Sequence, residues 1–284
     1  MTYQELEQKG AGILQKAGVL DPKVDARLLL LFVSKKSAAS LLLDQKEEVE
    51  PAVEEEYLAL IKRRERRIPL QHITGETEFM GLLFSVSEDV LCPRQDTEIL
   101  VEEVLKLLKP EDRILDLCTG SGCIGISLMV LGSRRIPKLS LTGADLSEAA
   151  LSVARQNAWR NGLHDASVNY LQGDLFEAIS PDERFDVIVS NPPYIPSAYI
   201  GQLMPEVRDH EPLMALDGKE DGLFFYRKIT QQAPGFLKEG GRLCYEIGYD
   251  QGESVPALLV EAGFKEVRVV KDLSGNDRVV MGHL

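Results

Sequence analysis

From Arg113 onward, short apolar runs alternate with stretches of helical spacing, and the first four runs each end at a carboxylate or carboxamide. The runs lie near 113–117, 139–144, 167–171 and 185–190. Asp116 sits at the end of the first, Asp145 closes the second, Asp174 follows the third and Asn191 follows the fourth. With helices expected near 123–131, 147–161, 221–238 and 252–262, this alternation predicts a parallel sheet joined by right-handed crossovers. Further strands are expected near 242–247, 265–270 and 277–282. Only Asp272 to Asn276 separates the last two, too short for a crossover helix, so the final strand is expected to run antiparallel. The chain therefore reads as a seven-stranded α/β domain. In such sheets ligands bind at the carboxyl ends of the strands.

The fourth run, Phe185-Asp186-Val187-Ile188-Val189, leads into Ser190-Asn191-Pro192-Pro193-Tyr194. Two prolines cannot continue a sheet, so the backbone must leave it at Asn191. A plain turn after a strand is the competing reading of these residues alone.

The 284-residue chain exceeds the usual span of one core, and its first part has a different pattern. Residues 1–68 read as a helical bundle. Thr2 and Glu5 have capping-box spacing, Asp21-Pro22 opens a second helix, Ser37 caps a short third and Pro51 opens a fourth. The basic cluster Lys62-Arg63-Arg64-Glu65-Arg66-Arg67 ends that helix, where cations suit the macrodipole. It reads as a solvated helix end or as a contact for an anionic partner. Residues 76–92 are expected to form a connector with a hairpin turning near Gly81. The expected domains are thus 1–75, helical, the 76–92 connector, and 93–284, the α/β domain.

Charge narrows the partners. Residues 1–75 hold 12 basic and 12 acidic side chains, whereas the rest holds 20 basic and 33 acidic, the whole of the net −13. Such a field repels a phosphate backbone, so duplex nucleic acid is not expected as a partner. No apolar run reaches the roughly 20 residues of a membrane span, and Met1-Thr2-Tyr3-Gln4-Glu5 lacks the features of a signal peptide. The four cysteines and four histidines show no zinc spacing. A cytoplasmic, metal-free protein with no membrane contact is expected.

After the first strand, Cys118-Thr119-Gly120-Ser121-Gly122 forms a glycine loop, and Cys123-Ile124-Gly125 opens a helix. Glycines permit close backbone approach, and a helix N-terminus favours an anion. Gly120 to Gly125 also fits the dinucleotide fingerprint, with Asp145 near the expected distance, so a nicotinamide cofactor is one reading of this segment. Three features favour S-adenosylmethionine instead. Asp116, in the strand-to-loop turn, suits the cationic amino end of a methionine moiety. Asp145, with Leu146 beside it, suits a ribose diol. Asp174 suits the exocyclic amine of adenine, with Leu175 or Phe176 against the ring.

These residues resemble the PrmC/HemK family, which methylates a glutamine side chain of peptide chain release factors. The resemblance rests on Asp116 to Gly122, Asn191-Pro192-Pro193-Tyr194-Ile195, Glu211-Pro212, Asp221-Gly222-Leu223 with Phe225-Tyr226, Glu246-Ile247-Gly248, and Asp272 with Gly275-Asn276-Asp277-Arg278. It spans nearly the whole chain. Cys118 stands where such loops commonly have glycine, and Arg94-Gln95-Asp96-Thr97-Glu98 where the family usually shows Arg-Pro-Glu-Thr-Glu. The resemblance implies a Rossmann-like S-adenosylmethionine-dependent methyltransferase domain behind a small α-helical N-terminal domain. It also implies S-adenosylhomocysteine as product, the Gly-Gly-Gln loop of a release factor as target, and a monomer. Cys118, Thr119, Gly120, Ser121 and Gly122 would then bind the cofactor with Asp116, Asp145, Leu146, Asp174, Leu175 and Asn191. Asn191, Pro192, Pro193 and Tyr194 would bind substrate, with Asn191, Pro192 and Tyr194 catalytic.

A primary amide nitrogen is a poor nucleophile and too weak an acid for a side-chain base. Its need is two acceptors, the Asn191 oxygen and the Pro192 carbonyl, to hold its two N–H groups, with Tyr194 covering the amide plane. Positive charge growing on nitrogen strengthens both bonds in the transition state. The same motif suits adenine's conjugated amine, so another protein glutamine or adenine N6 is an alternative target. A cofactor-binding regulator without catalysis is the alternative of a different class.

Overall fold

A computed structural model describes residues 1–164 and 166–284. They form two compact units, one of residues 1–75 with 204–210, the other of 76–203 with 211–284.

The first unit is helical: Tyr3–Lys16, Pro22–Ser34, Ala38–Leu43, Pro51–Glu65 and Leu70–Thr74. Thr2 and Glu5 form the expected reciprocal capping box, and the Ser37 side chain accepts from Ser40 N–H. Asp21 occupies the N-cap position before Pro22, but its side chain makes no capping bond. Leu6, Leu14, Leu29, Leu30, Tyr57 and Ile61 are fully buried and close the core. Within the basic cluster Lys62, Arg63 and Arg66 are exposed, as a solvated helix end requires, whereas Arg64 and Arg67 turn inward. Arg64 is buried and binds Asp25 (2.7 Å) and Glu206 (2.9 Å), and Arg67 binds Glu206 through Nε and Nη2, both at 2.6 Å. Burial pushes the Glu206 carboxyl up, but the hydrogen bonds from Arg67 and Arg64 prevail and hold it below its ordinary range. These arginines serve the unit's interior, and they bring 204–210 into a unit that the expected boundaries exclude it from. Sequence spacing cannot reveal a partner so far along the chain.

In the second unit, β1 (Glu76–Phe79) and β2 (Leu82–Ser85) form the hairpin, with Phe79 opposite Leu82. Met80 and Gly81 both take positive φ, 53° and 72°, the conformation a two-residue turn needs to match strand twist. The large sheet contains β3 (Arg113–Leu117), β4 (Ser140–Asp145), β5 (Val168–Gln172), β6 (Phe185–Ser190), β7 (Leu237–Glu246), β8 (Lys265–Lys271) and β9 (Asp277–His283). Their order is β5-β4-β3-β6-β7-β9-β8, with β3 to β7 parallel and β9 antiparallel to both neighbours. The chain steps outward from β3 in both directions, so a topological switch point lies between β3 and β6.

One expected helix ends early. The helix expected over 221–238 runs only Phe224–Gln232, because Pro234 enters a 3₁₀ turn and β7 already begins at Leu237. Gly240 (φ 72°) sits where the pairing jumps from Phe185–Leu237 to Val187–Arg242. Among the described residues, no helix is long and apolar enough to cross a membrane.

Candidate active site

At the switch point, the chain leaves β3 at Cys118 (φ 57°), turns through Gly120 and Gly122, and enters helix Cys123–Gly132. Thr119 N–H donates to the Ala144 carbonyl (3.1 Å), and Gly120 N–H donates to Asp145 Oδ2 (2.9 Å). Asp145 Oδ1 accepts from Ser147 N–H at 2.9 Å, while Ser147 itself caps the next helix. Burial raises the Asp145 carboxyl despite these backbone donors.

Asp116 differs from its expected role. It is fully buried behind the loop, its Oδ2 accepting from Thr119 Oγ1 (2.7 Å) and Gly125 N–H (3.0 Å), and it does not line the cavity. It braces the loop from within. Burial pushes it up to about 7 against the pull of Thr119 and Gly125. Gly125 is glycine for a steric reason: a Cβ there would lie 2.9 Å from Asp116 Oδ2 and 2.8 Å from Leu141. Gly122 also lies off the cavity wall.

The cavity in front of the loop has a volume of about 410 Å³, within the usual range for small-molecule sites. From the expected residues it gathers Cys118, Thr119, Gly120 and Ser121 of the loop, Asp145 and Leu146 after β4, and Asp174 and Leu175 after β5. Asn191 and Pro193 join them from the end of β6. Asp174 Oδ2 is paired with Lys228 Nζ at 3.0 Å, and Lys228 Nζ lies 5.3 Å from the Phe224 ring centre. Burial pushes the Cys118 thiol up, so it is a wall group rather than a nucleophile.

Pro192 is buried and does not line the cavity. Nor does Tyr194, which contrasts with its expected place over the amide plane. Its ring packs on the second sheet face, and burial beside Glu246 pushes its hydroxyl up. Its carbonyl accepts from Gln251 Nε2 at 3.3 Å, and a Cβ on Gly222 would meet that carbonyl at 2.3 Å. The turn is thereby clamped from behind.

Several wall residues escape spacing rules. Asp89 to Cys92, from the supposed connector, form part of the wall, as do Arg94 and Thr97. Arg94 Nη2 donates to Glu211 Oε1 at 2.6 Å, and Glu211 precedes Pro212 on the opposite lip. Phe224 and Phe225 meet edge to face at 5.2 Å and complete the rim. Their aromatic pair, one turn before Lys228, was the available signal.

The donor set fits S-adenosylmethionine. Carboxylates after β4 and β5 face an apolar cavity, and the glycine loop is tied open by its own hydrogen bonds. The fold and site define an S-adenosylmethionine-dependent methyltransferase. A methyltransferase structure from Pyrococcus furiosus shares the fold, with a TM-score of 0.52 and 20% identity over 78% of this chain and 98% of that one. The PrmC N-terminal domain matches residues 5–75, and the methyltransferase small domain matches 94–202. A release factor glutamine methyltransferase of Clostridium botulinum is 41% identical, covering 99% of this chain and 98% of its own. One from Moorella thermoacetica is 40% identical, covering 100% and 99%. The chain belongs to the release factor glutamine methyltransferase family.

Proposed function

We propose that this protein transfers the methyl group of S-adenosylmethionine to the side-chain amide nitrogen of the glutamine in the Gly-Gly-Gln loop of a peptide chain release factor. The observation that carries this reading is the placement of Asn191 on the wall of the same cavity as the glycine loop, at the end of β6. Bound S-adenosylmethionine supplies an electrophilic methyl group carried on a cationic sulfur. Thr119 to Ser121, Asp145 with Leu146, and Asp174 with Leu175 are the residues proposed to hold it, Asp116 and Gly122 acting through the loop. The Asn191 oxygen, on the cavity wall, accepts from one N–H of the glutamine and directs its lone pair into the cavity. The carbonyl of Pro192, whose residue lies off that wall, is the proposed acceptor for the other. As positive charge grows on nitrogen, both acceptors hold it more strongly. Tyr194 anchors the turn from behind.

The N-terminal unit is the proposed recruiter of the release factor. The acidic surplus outside it supports a basic protein loop over duplex DNA as substrate. A cytoplasmic monomer accords with this role. A radiolabelled methyl-transfer assay with a release factor, an unrelated ribosomal protein and duplex DNA in parallel tests the reading. Label is expected on the release factor alone and is lost when its Gly-Gly-Gln glutamine is replaced by alanine. Label on the DNA or the ribosomal protein but not on the release factor overturns it.

A further inference from the structure

A carboxamide can turn either its oxygen or its NH2 group toward a ligand. An amide nitrogen awaiting methylation offers two donors, so Asn191 serves only with its oxygen outward. The sheet supplies a neighbour that selects this orientation. Ser190 of β6 lies opposite Tyr245 of β7 in parallel register, which brings Asn191 and Glu246 side by side at the two strand ends. Side chains at matched positions of adjacent parallel strands point to one face.

Glu246 is only 2% exposed, and its Oε2 has no hydrogen-bond partner among the described residues. Its carbonyl accepts from Tyr226 Oη at 2.8 Å, which fixes the strand end. Its carboxyl group faces the Thr97 hydroxyl and the Asn191 carboxamide. An ionised carboxylate only accepts, so it calls for the NH2 side of Asn191.

We propose that Glu246 is a positioning residue for methyl transfer, its ionised carboxylate accepting from the Asn191 NH2 group and holding the Asn191 oxygen toward the substrate amide. This rests on the function proposed above. The charged and titratable groups around Glu246 are Arg278, Asp96, Tyr194, Tyr226 and Cys123. Burial pushes the carboxyl up to about 7, against the pull of Thr97, Arg278 and Asn191. Below that point its O–H can also donate to the Asn191 oxygen, the carboxamide is no longer held in one orientation, and its turned form sets NH2 against the substrate's NH2.

The test uses the full chain and a release factor, with kcat and KM followed across the neutral pH range. Wild-type kcat falls as pH drops through about 7. Glutamine at 246 satisfies Asn191 in either orientation, so Glu246→Gln lowers kcat by about 10-fold or more. Its KM for the release factor and its cofactor affinity stay within about twofold of wild type, and its acid limb disappears. Glu246→Asp, still an acceptor when ionised, keeps a limb. A Glu246→Gln enzyme with wild-type kcat, or with the acid limb intact, overturns the proposal. The side-chain ¹⁵N–¹H signals of Asn191 in the wild-type protein, assigned by their loss in Asn191→Ala, decide independently of folding of the variant. They titrate with the same midpoint as kcat if Glu246 turns the carboxamide, and a flat response overturns the idea. That measurement needs no substrate. Absence of transfer to any release factor would strike at the proposed function, while the titration would still decide the role of Glu246.

Discussion

On the β3–β4 side of the cavity, buried Asp116 and half-buried Asp145 are tied into the loop, Asp116 by Thr119 and Gly125, Asp145 by Gly120 and Ser147. On the β6–β7 side, Glu246 and Glu211 are buried, and each, like Asp116, keeps one carboxylate oxygen without a hydrogen bond among the described residues, but neither is bonded to the glycine loop. The first wall spends its polar groups on its own shape. On the second wall, Glu211 is paired with Arg94, and Glu246 faces the Asn191 carboxamide. The cofactor wall is thus a template, while the amide wall depends on which protonation and orientation its side chains adopt.

The largest expected effect comes from separating the two walls. Asn191→Ala should lower kcat by about 10²–10³-fold, with cofactor affinity by calorimetry within about twofold of wild type. A parallel collapse of cofactor affinity would show the walls to be one unit. Gly125→Ala attacks the template instead, forcing a methyl group against Asp116 and Leu141. It should cost about 1–3 kcal/mol in denaturant unfolding and weaken cofactor binding about 10-fold, with kcat at saturation little changed.

Asp116→Asn should leave the loop in place but change how stability responds to pH. Because burial raises the Asp116 carboxyl to about 7 in the folded chain, its contribution is full below its unfolded value near pH ~4 and is lost as pH rises through about 7. Urea midpoints for the variant should therefore decline less steeply across that window. A smaller decline should remain, since Glu246 is raised in the same sense. The smallest effect is expected for Cys118→Gly. Relief of a positive φ on a non-glycine residue, roughly 1 kcal/mol, opposes the loss of a half-buried thiol, so stability should shift by less than about 1 kcal/mol.

The template wall was the more legible from sequence, because strand, glycine loop and helix are contiguous and their residue types follow from local backbone demands. Asp116 and Gly122 were expected on the cavity wall and lie off it, because sequence marks the end of a strand and a loop but not which side of the loop a residue occupies. The amide wall was legible only at Asn191 to Tyr194. Glu246 becomes its partner through the register of β6 and β7, and Arg94 meets Glu211 through folding of segments far apart in the chain. Tyr194, an aromatic beside a catalytic motif, looked like a substrate cover, yet it packs on the sheet. The helix Leu70–Thr74 was missed because five residues after Pro69 are too few to show a period.

Arg64 and Arg67 hold Glu206 within the helical unit, although that residue follows β6 in the chain. The polypeptide thus passes between the two compact units three times, after residues 75, 203 and 210. A fragment ending at residue 75 would lack Glu206, leaving Arg67 without that carboxylate and Arg64 with Asp25 alone, and would be less stable than the unit it copies. Proteolysis at a single one of these junctions would nick the protein without releasing either unit as a free fragment.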